Sequence, residues 1–470
     1  MKKHTAILDF NNTGNLSLSR MIKLVLQLSI PAILSQLTTV VMQYIDAGMV
    51  GSLGENATAS IGLVSTSTWL INGLCASFAM GFSVQIAQLI GSERDNDARS
   101  VFRQSLLIGL AFALCITAVA VTISPFLPVW LGGNGEILDN STKYFFIYAL
   151  SLPATQLRMI CANSLQCSGD MKTPSLLNIG MCLLDVVFNF FLIYPSRYVS
   201  VFGYSVWVYG ANLGVAGAGL GTLLADYFVA IAMFLVIVFK SKILRFSLGG
   251  SWKLNKATLK TALKISLPAE FEHSIMCSAY ICATIIIAPL GNVSIAANSL
   301  AVTAESFCYM PGFGISSAAT TLIGQCLGAN RRDLAKKFSY TSIALGVTFM
   351  SVVGVIMYAF APNIMQLLTP SLEVQKLGAK VLRIEAFAEP LYAASIVCIG
   401  ALRGAGDTFV PGIMNLISMW GVRIALALIL TPSLGLTGVW IAMATELCFR
   451  GIIFLTRVFK GKWLNKKLSL

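Results

Sequence analysis

Ser29-Ile30-Pro31-Ala32 returns 237 residues later as Ser266-Leu267-Pro268-Ala269 (268 − 31 = 237). At the same offset Leu53-Gly54 returns as Leu290-Gly291, Gln88 and Gly91 as Gln325 and Gly328, and Arg94 as Arg331. Pro153 returns as Pro390, Gly169-Asp170 as Gly406-Asp407, and Pro174 as Pro411. One gapless offset held over this length describes two copies of a single unit. Beyond it, Gly214 and Gly217 match Gly435 and Gly438 at an offset of 221 (435 − 214), so the first copy carries 16 extra residues (237 − 221). We place them in the loop between Tyr194 and Gly214.

Each copy is built for lipid. Of 470 residues 56% are hydrophobic and 11% charged, where soluble domains carry roughly 25% charged residues. A membrane-spanning helix needs about 20 apolar residues. Twelve such stretches lie near 22–47, 60–89, 102–124, 142–164, 174–194, 213–239, 259–288, 296–327, 338–361, 379–401, 411–431 and 436–459. The repeat unit therefore holds six spans. An even number sends both copies into the membrane in the same direction, as parallel repeats about an axis along the membrane normal, an arrangement suited to alternating access by rocking two lobes.

The charges orient the chain. The net charge is +13, from 33 Lys and Arg against 20 acids. The basic residues cluster in alternate loops: Arg94, Arg99 and Arg103; Lys240, Lys242, Arg245, Lys253, Lys256 and Lys260; Arg331, Arg332, Lys336 and Lys337. The ends add Lys2, Lys3, Arg20 and Lys23, and Arg457, Lys460, Lys462, Lys466 and Lys467. The opposite loops hold only Lys143, Arg197, Lys376, Lys380 and Arg383. Positive-inside bias places both termini in the cytoplasm. The expected organisation is an N-terminal six-helix lobe (1–245), a cytoplasmic linker (246–257) whose flexible part is Ser247-Leu248-Gly249-Gly250-Ser251, and a C-terminal six-helix lobe (258–470). No basic-aromatic patch points to nucleic acid. The polar stretch from Met1 to Arg20 lacks the apolar core of a cleavable signal peptide. The 11 Cys fall mostly inside apolar stretches and form no CxxC pair, and His4 and His273 are the only histidines. The Cys read as small apolar core residues, and no cofactor is expected. HExxH, GxSxG and Walker-type loops are absent from the sequence, which argues against an enzyme.

Two further segments carry a resemblance. One is Tyr309-Met310-Pro311-Gly312-Phe313-Gly314, running through Ala318-Ala319-Thr320 to Gly324-Gln325 and Gly328-Ala329-Asn330, with Gly81-Phe82-Ser83 to Gln88 and Gly91 as its first-half counterpart. The other occurs twice, as Gln166-Cys167-Ser168-Gly169-Asp170-Met171-Lys172-Thr173-Pro174 and as Leu402-Arg403-Gly404-Ala405-Gly406-Asp407-Thr408-Phe409-Val410-Pro411. It reads as a tight cytoplasmic turn, with Gly for positive φ, Asp to cap the next helix and Pro in its first turn. From about Leu24 to Phe459 the chain resembles the multidrug and toxic compound extrusion (MATE) family. The resemblance implies twelve helices, two lobes around a central cavity, and export driven by H⁺ or Na⁺.

Ionisable residues inside a span are functional candidates by default. Asp46, fifteen residues after Pro31 (46 − 31), resembles the family's first-helix Asp, which belongs to its ion-coupling site. Asp185 and Asn189 share one helical face at i, i+4 and offer oxygen to a hard cation or hold a proton. Family members tend to carry such a polar pair with Asn first; here Asp comes first. Thr222 matches a family Thr that completes the cation site, and Asp226 lies one turn on. This oxygen-rich set without His suits Na⁺ or H⁺ better than zinc or copper. In the second copy Glu272, Glu305, Glu385 and Glu389 are secondary acidic candidates, the last two again at i, i+4 and expected on one helical face. Arg158, Arg423 and Arg450 read as structural partners of acids. Tyr44, Tyr280, Tyr309 and Met310 are candidate walls of a substrate cavity.

The expected protein is a monomeric secondary antiporter of the cytoplasmic membrane, exporting small organic and often cationic compounds in exchange for H⁺ or Na⁺, with membrane lipid as its other partner. The alternative is a lipid-linked glycan flippase of the same broad fold group. That activity calls for a basic or hydrophilic cavity and often extra spans, whereas the intramembrane charge here leans acidic. A channel would more naturally be a symmetric oligomer with a filter loop.

Overall fold

The computed structural model describes residues 16–201, 204–241, 243–245 and 254–466. The expected linker residues 246–253, the stretch before Leu16 used for the signal-peptide reading, and Lys2, Lys3, Lys242, Lys253 and Lys467 lie outside the described residues.

The chain is helical almost throughout. The first half runs α1 (Leu18–Gly51), α2 (Glu55–Gly91), α3 (Asp95–Ile123), a short α4 (Leu127–Trp130), α5 (Gly135–Cys167), α6 (Lys172–Leu192) and α7 (Gly214–Phe239). The second runs α8 (Lys256–Ile287), α9 (Asn292–Gly328), α10 (Arg332–Leu368), α11 (Leu372–Ala386), α12 (Glu389–Gly404), α13 (Phe409–Leu416), α14 (Ala425–Leu434) and α15 (Leu436–Phe459). Ser17 and Asn255 start α1 and α8 by accepting from the backbone N–H of Arg20 (3.4 Å) and Ala257 (2.9 Å), which satisfies donors a helix start leaves open.

Among the described residues ten helices are long and apolar enough to cross a membrane. The pair α11 and α12, bent by 59°, makes an eleventh span if counted as one. The outer surface of the folded chain is apolar as well as its core. Leu107, Leu110 and Leu114 stand exposed on one stripe of α3, while Asp185, Glu385, Glu389 and Glu446 are fully buried.

Three local features depart from regular helices. The 16 additional residues of the first copy fall on an antiparallel hairpin, β1 (Pro195–Val201) and β2 (Tyr204–Ala211), with Tyr198 opposite Trp207. In the second copy a single residue, Gly435, joins α14 to α15. Between α13 and α14, Ile417–Ile424 is a π-helix, a form found mostly as single-turn bulges at functional sites. The third departure corrects an expectation: Glu385 and Glu389 do not share a helical face. Glu385 closes the last turn of α11 and Glu389 opens α12. Pro390 has no N–H to bond the carbonyl of Ala386 and its ring crowds that carbonyl, and the helix is interrupted at Phe387 and Ala388. Pro153, its counterpart, lies within an unbroken α5.

The repeated Gly-Asp turns also divide. Asp170 accepts from Thr173 N (3.0 Å) and Thr173 Oγ1 (2.6 Å), as a capping residue does. Asp407 caps nothing. It is buried and accepts from Arg457 (2.8 Å) and Lys466 (2.7 Å). The chain after α15 folds back with Trp463 buried beneath the lobe, and this carries Lys466 to Asp407.

Candidate functional site

α1 brings Asp46 to Asp185 and Asn189 of α6, and α7 packs against the same point. Asn189 Nδ2 donates to Asp46 Oδ1 and to Asp185 Oδ2, both at 3.0 Å. One amide thus bridges two carboxylates that would otherwise repel. The i, i+4 spacing of Asp185 and Asn189 on α6 supplies one of these bonds, and packing of α1 against α6 supplies the other. α7 closes the site with a residue that has no side chain. A Cβ on Gly221 would lie 2.1 Å from Asn189 Oδ1, so only glycine lets the two helices meet here. The neighbouring Thr222 donates to Ala218 O of its own helix at 3.2 Å.

Asp185 and Asn189 are buried, and two oxygens in the cluster, Asp185 Oδ1 and Asn189 Oδ1, have no hydrogen-bond partner among the described residues. Buried oxygens without donors are costly. They fit a small hard cation or a proton, which this donor set of carboxylate, amide and hydroxyl oxygens would receive. No group of three or more His, Cys, Asp or Glu suited to a transition metal occurs among the described residues.

Asp226 stands apart from this cluster. Its Oδ1 accepts from Arg158 Nε (2.5 Å) and its Oδ2 from Thr155 Oγ1. It answers the charge of Arg158.

The second half holds its acids in three settings. Glu272 Oε1 accepts from Asn415 (2.7 Å) and Arg403 (3.3 Å). Glu446 pairs with Arg450 (2.7 Å) and accepts from Ser418. Glu385 and Glu389, on either side of the helix break, keep all four carboxyl oxygens without hydrogen-bond partners among the described residues. Glu305 on α9 lines a cavity of about 670 Å³ together with Trp69, Tyr280, Tyr309, Tyr392 and Arg423. Tyr280 and Tyr309 are among its walls. Tyr44 and Met310 are not in this wall; Tyr44 stacks on Phe307 instead, ring centroids 5.9 Å apart.

Arg158 and Arg450 have the acidic partners expected of them. Arg423 departs from that reading: it makes no ion pair among the described residues and lies over the Tyr280 ring, 5.2 Å from its centroid. Its sequence setting does not distinguish it from Arg158, which also lies in an apolar stretch with no acid at i±4. Trp440 of α15, held by Asn298 through a 3.0 Å hydrogen bond, and Tyr392 of α12 complete the cavity. Nothing in their local sequence sets them apart from other aromatics facing lipid or core.

A helical membrane protein with two polar intramembrane clusters and a cavity between its helices fits the class of transporters. The MatE family model matches residues 31–191 and again 268–429. The chain belongs to the MATE family of multidrug and toxic compound extrusion proteins, whose members are multi-pass membrane transporters and not enzymes. It is similar to "Probable multidrug resistance protein NorM" of Thermotoga maritima, at 24% identity over 94% of this chain and 93% of the relative. It is also similar to "Uncharacterized transporter YisQ" of Bacillus subtilis, at 27% identity over 90% and 91%. Among solved structures, "Crystal structure of MATE in complex with MaL6" superposes with a TM-score of 0.86 at 21% identity, covering 95% of this chain and 98% of that one. "Outward-facing conformation of a multidrug resistance MATE family transporter of the MOP superfamily" gives 0.85 at 20% identity, covering 97% and 100%. Both likenesses establish the fold.

Proposed function

We propose that the chain is a cation-coupled antiporter that exports small organic compounds, often cationic or drug-like, across the cytoplasmic membrane in exchange for H⁺ or Na⁺. The observation that carries this reading is the Asp46–Asn189–Asp185 cluster, with two buried oxygens left open. A proton or monovalent cation entering there would cancel one of the two carboxylate charges, relieve their repulsion and tie α1 to α6. Its departure would restore their repulsion and favour a different packing of the two helices. Thr222 adds a hydroxyl on the α7 side. Substrate and coupling ion exchange because occupancy of the cluster changes the shape of the lobe that the substrate contacts. Glu305, Glu385 and Glu389 form a second, C-terminal reserve of acid.

Twelve spans in two parallel repeats follow if the bent α11–α12 pair and α9 are counted with the ten apolar helices (10 + 1 + 1). α9 holds 37 residues, about 55 Å at 1.5 Å per residue, enough to cross. The positive loops favour cytoplasmic termini, lobes over 1–245 and 258–470, and a linker at 246–257. A monomer in lipid is the simplest assembly for such a pair of lobes.

The test is efflux of a fluorescent lipophilic cation from proteoliposomes under separately imposed H⁺ and Na⁺ gradients, for wild type and Asp46→Asn. Efflux driven by one gradient and abolished in the variant supports the reading and names the ion. Full gradient-driven transport by Asp46→Asn would overturn it.

A further inference from the structure

Resting on the antiporter reading above, we propose that the seam between α1 and α6 is the coupling ion's passage to the cytoplasm, hydrated along its length and stoppered at its mouth by α9 of the second lobe.

Two stripes, polar but for one methionine, form the seam. On α1, Ser35, Thr39, Met42 and Asp46 recur at steps of four, three and four residues. On α6, Ser175, Asn178, Cys182 and Asp185 recur at steps of three, four and three. Each spacing keeps to one helical face, and each stripe runs about 15 Å to its carboxylate at 1.5 Å per residue. Between them lies a cavity of about 230 Å³. It begins beside Gln166, near the end of α5, and stops at Met42 and Cys182, one turn short of Asp46 and Asp185.

The cavity is fitted for water rather than for an organic compound. Ser175 and Asn178 line it, and Ser175 Oγ and Asn178 Oδ1 have no hydrogen-bond partner among the described residues. Ser175 is only 3% exposed. Buried polar atoms are rarely left unpaired, and water fits here at roughly 30 Å³ per molecule. Pockets for drug-sized ligands run to roughly 300–1,000 Å³. Arg158 also lines the cavity, but its charge is held by Asp226, so the pair offers no net repulsion to a passing cation.

The second copy replaces these polar groups. At the 237-residue offset Thr39 becomes Met276, Asp46 becomes Ala283 and Cys182 becomes Met419. Ser35 and Asn178 become Glu272 and Asn415, which bond each other at 2.7 Å. The path that is open and polar in the first lobe is spanned by a hydrogen bond and lined by apolar side chains in the second.

The stopper comes from across the molecule. Ser317, Thr321 and Gln325 lie on one face of α9 at successive steps of four. Ser317 lines the cavity. Thr321 Oγ1 donates to Gln166 O at 3.3 Å, and Gln325 Nε2 donates to Cys167 O at 2.8 Å. These bonds tie α9 to the end of α5 at the foot of the seam, so the mouth opens when the lobes part there. Ion release is thereby linked to the lobe movement that alternating access requires.

Two measurements on the full-length protein test this. The first uses neither gradient nor substrate. Purified protein is treated with 2-aminoethyl methanethiosulfonate, a small water-soluble thiol reagent, and each cysteine is followed by peptide mass spectrometry. Cys182 is expected to react at least about tenfold faster than Cys161, which is buried in the core away from the seam. Gln325→Ala should speed Cys182 further. Asn178→Leu, which fills the seam, should remove its advantage, with Cys161 unchanged in both variants. The second measurement compares two modes of transport in proteoliposomes. Asn178→Leu should slow gradient-driven efflux of the fluorescent lipophilic cation about tenfold, the effect of roughly 1.4 kcal/mol on a barrier. It should leave exchange of the dye for itself intact, because that exchange requires no ion release. Asn178→Ser keeps the path polar and should retain driven efflux. Cys182 no more reactive than Cys161 overturns the proposal. So does full driven efflux by Asn178→Leu, or self-exchange lost in step with driven efflux, the mark of a merely structural role. Driven efflux lost in Asp46→Asn but intact in Asn178→Leu removes the seam and keeps the antiporter. Wild type without driven efflux overturns the antiporter and the ion's passage together, whatever the labelling of Cys182.

Discussion

Gln88 and Gln325 make the same bond in opposite directions. Gln88 Nε2 donates to Gly404 O at 3.3 Å, and Gln325 Nε2 donates to Cys167 O at 2.8 Å. Donors and acceptors are each 237 residues apart (325 − 88 and 404 − 167). The adjoining glycines obey the same exchange. A Cβ on Gly91 would lie 2.0 Å from Gln325 O, and one on Gly328 1.9 Å from Gln88 O. The ends of α2 and α9 therefore meet backbone to backbone across a local pseudo-two-fold axis.

Gly91→Ala or Gly328→Ala forces these helices apart. Either should destabilise the protein by about 1–3 kcal/mol, the usual range for overpacking, and lower the thermal midpoint in detergent. Gly62→Ala is the control. It lies in α2 with nothing within 4 Å of an added Cβ, so it should be neutral or slightly stabilising, as glycine in a helix costs roughly 0.5–1 kcal/mol against alanine. Equal effects at the two sites would contradict the crossing.

Asn189 matters through its two donated bonds. Asn189→Leu leaves Asp46 and Asp185 facing each other with no bridge, and gradient-driven efflux should fall by roughly 10-fold or more, the scale of one lost charge-assisted interaction. The double exchange Asp185→Asn with Asn189→Asp keeps the charge and the amide on the same α6 face. It should restore more than half of the driven efflux that Asp185→Asn alone removes. A double variant no better than Asp185→Asn would mean that position, not charge count, governs the cluster.

Arg158 and Asp226 form a buried pair whose side chains are 17% and 6% exposed. Removing one partner strands the other, so Asp226→Leu should cost about 3–5 kcal/mol, while Arg158→Met with Asp226→Leu should recover most of it. Thermal unfolding of the two single variants and the double variant, treated as a cycle, measures the coupling. An additive result would dissolve the pair.

Asp407 holds Arg457 and Lys466 against the base of the second lobe. Asp407→Asn should cost about 3 kcal/mol, because two partly buried cations lose their partner. Asp170→Ala, at the equivalent turn, should cost about 1 kcal/mol as a lost cap. The order of the two thermal midpoints is the observable, and a reversed order would contradict the assigned roles.

Much of this molecule was legible in one dimension. Helix positions followed from the length of apolar runs, because lipid leaves backbone groups no partner outside the helix. The reciprocal contacts of Gln88 and Gln325 sit on residues paired by the repeat offset. Asp185 and Asn189 were readable as neighbours because four residues make one helical turn. The same reasoning failed at Glu385 and Glu389, where an equal spacing is cut by Pro390. The spacing rule assumes an unbroken helix, and a single proline gave a continuous helix at Pro153 but a 59° bend beside Pro390.

Composition by itself determined a multi-span helical membrane protein with polar groups set inside its apolar stretches, because burial in lipid and helical periodicity are local constraints. Tertiary structure alone decided which of those groups met. Asn189 reaches Asp46 across 143 residues (189 − 46), Asp226 answers Arg158, Lys466 folds back to Asp407, and Arg423 and Glu305 come to line one cavity. These outcomes depend on how helices far apart in sequence pack, and on the tight approaches that Gly91, Gly221 and Gly328 permit. No local pattern of residues encodes that distance.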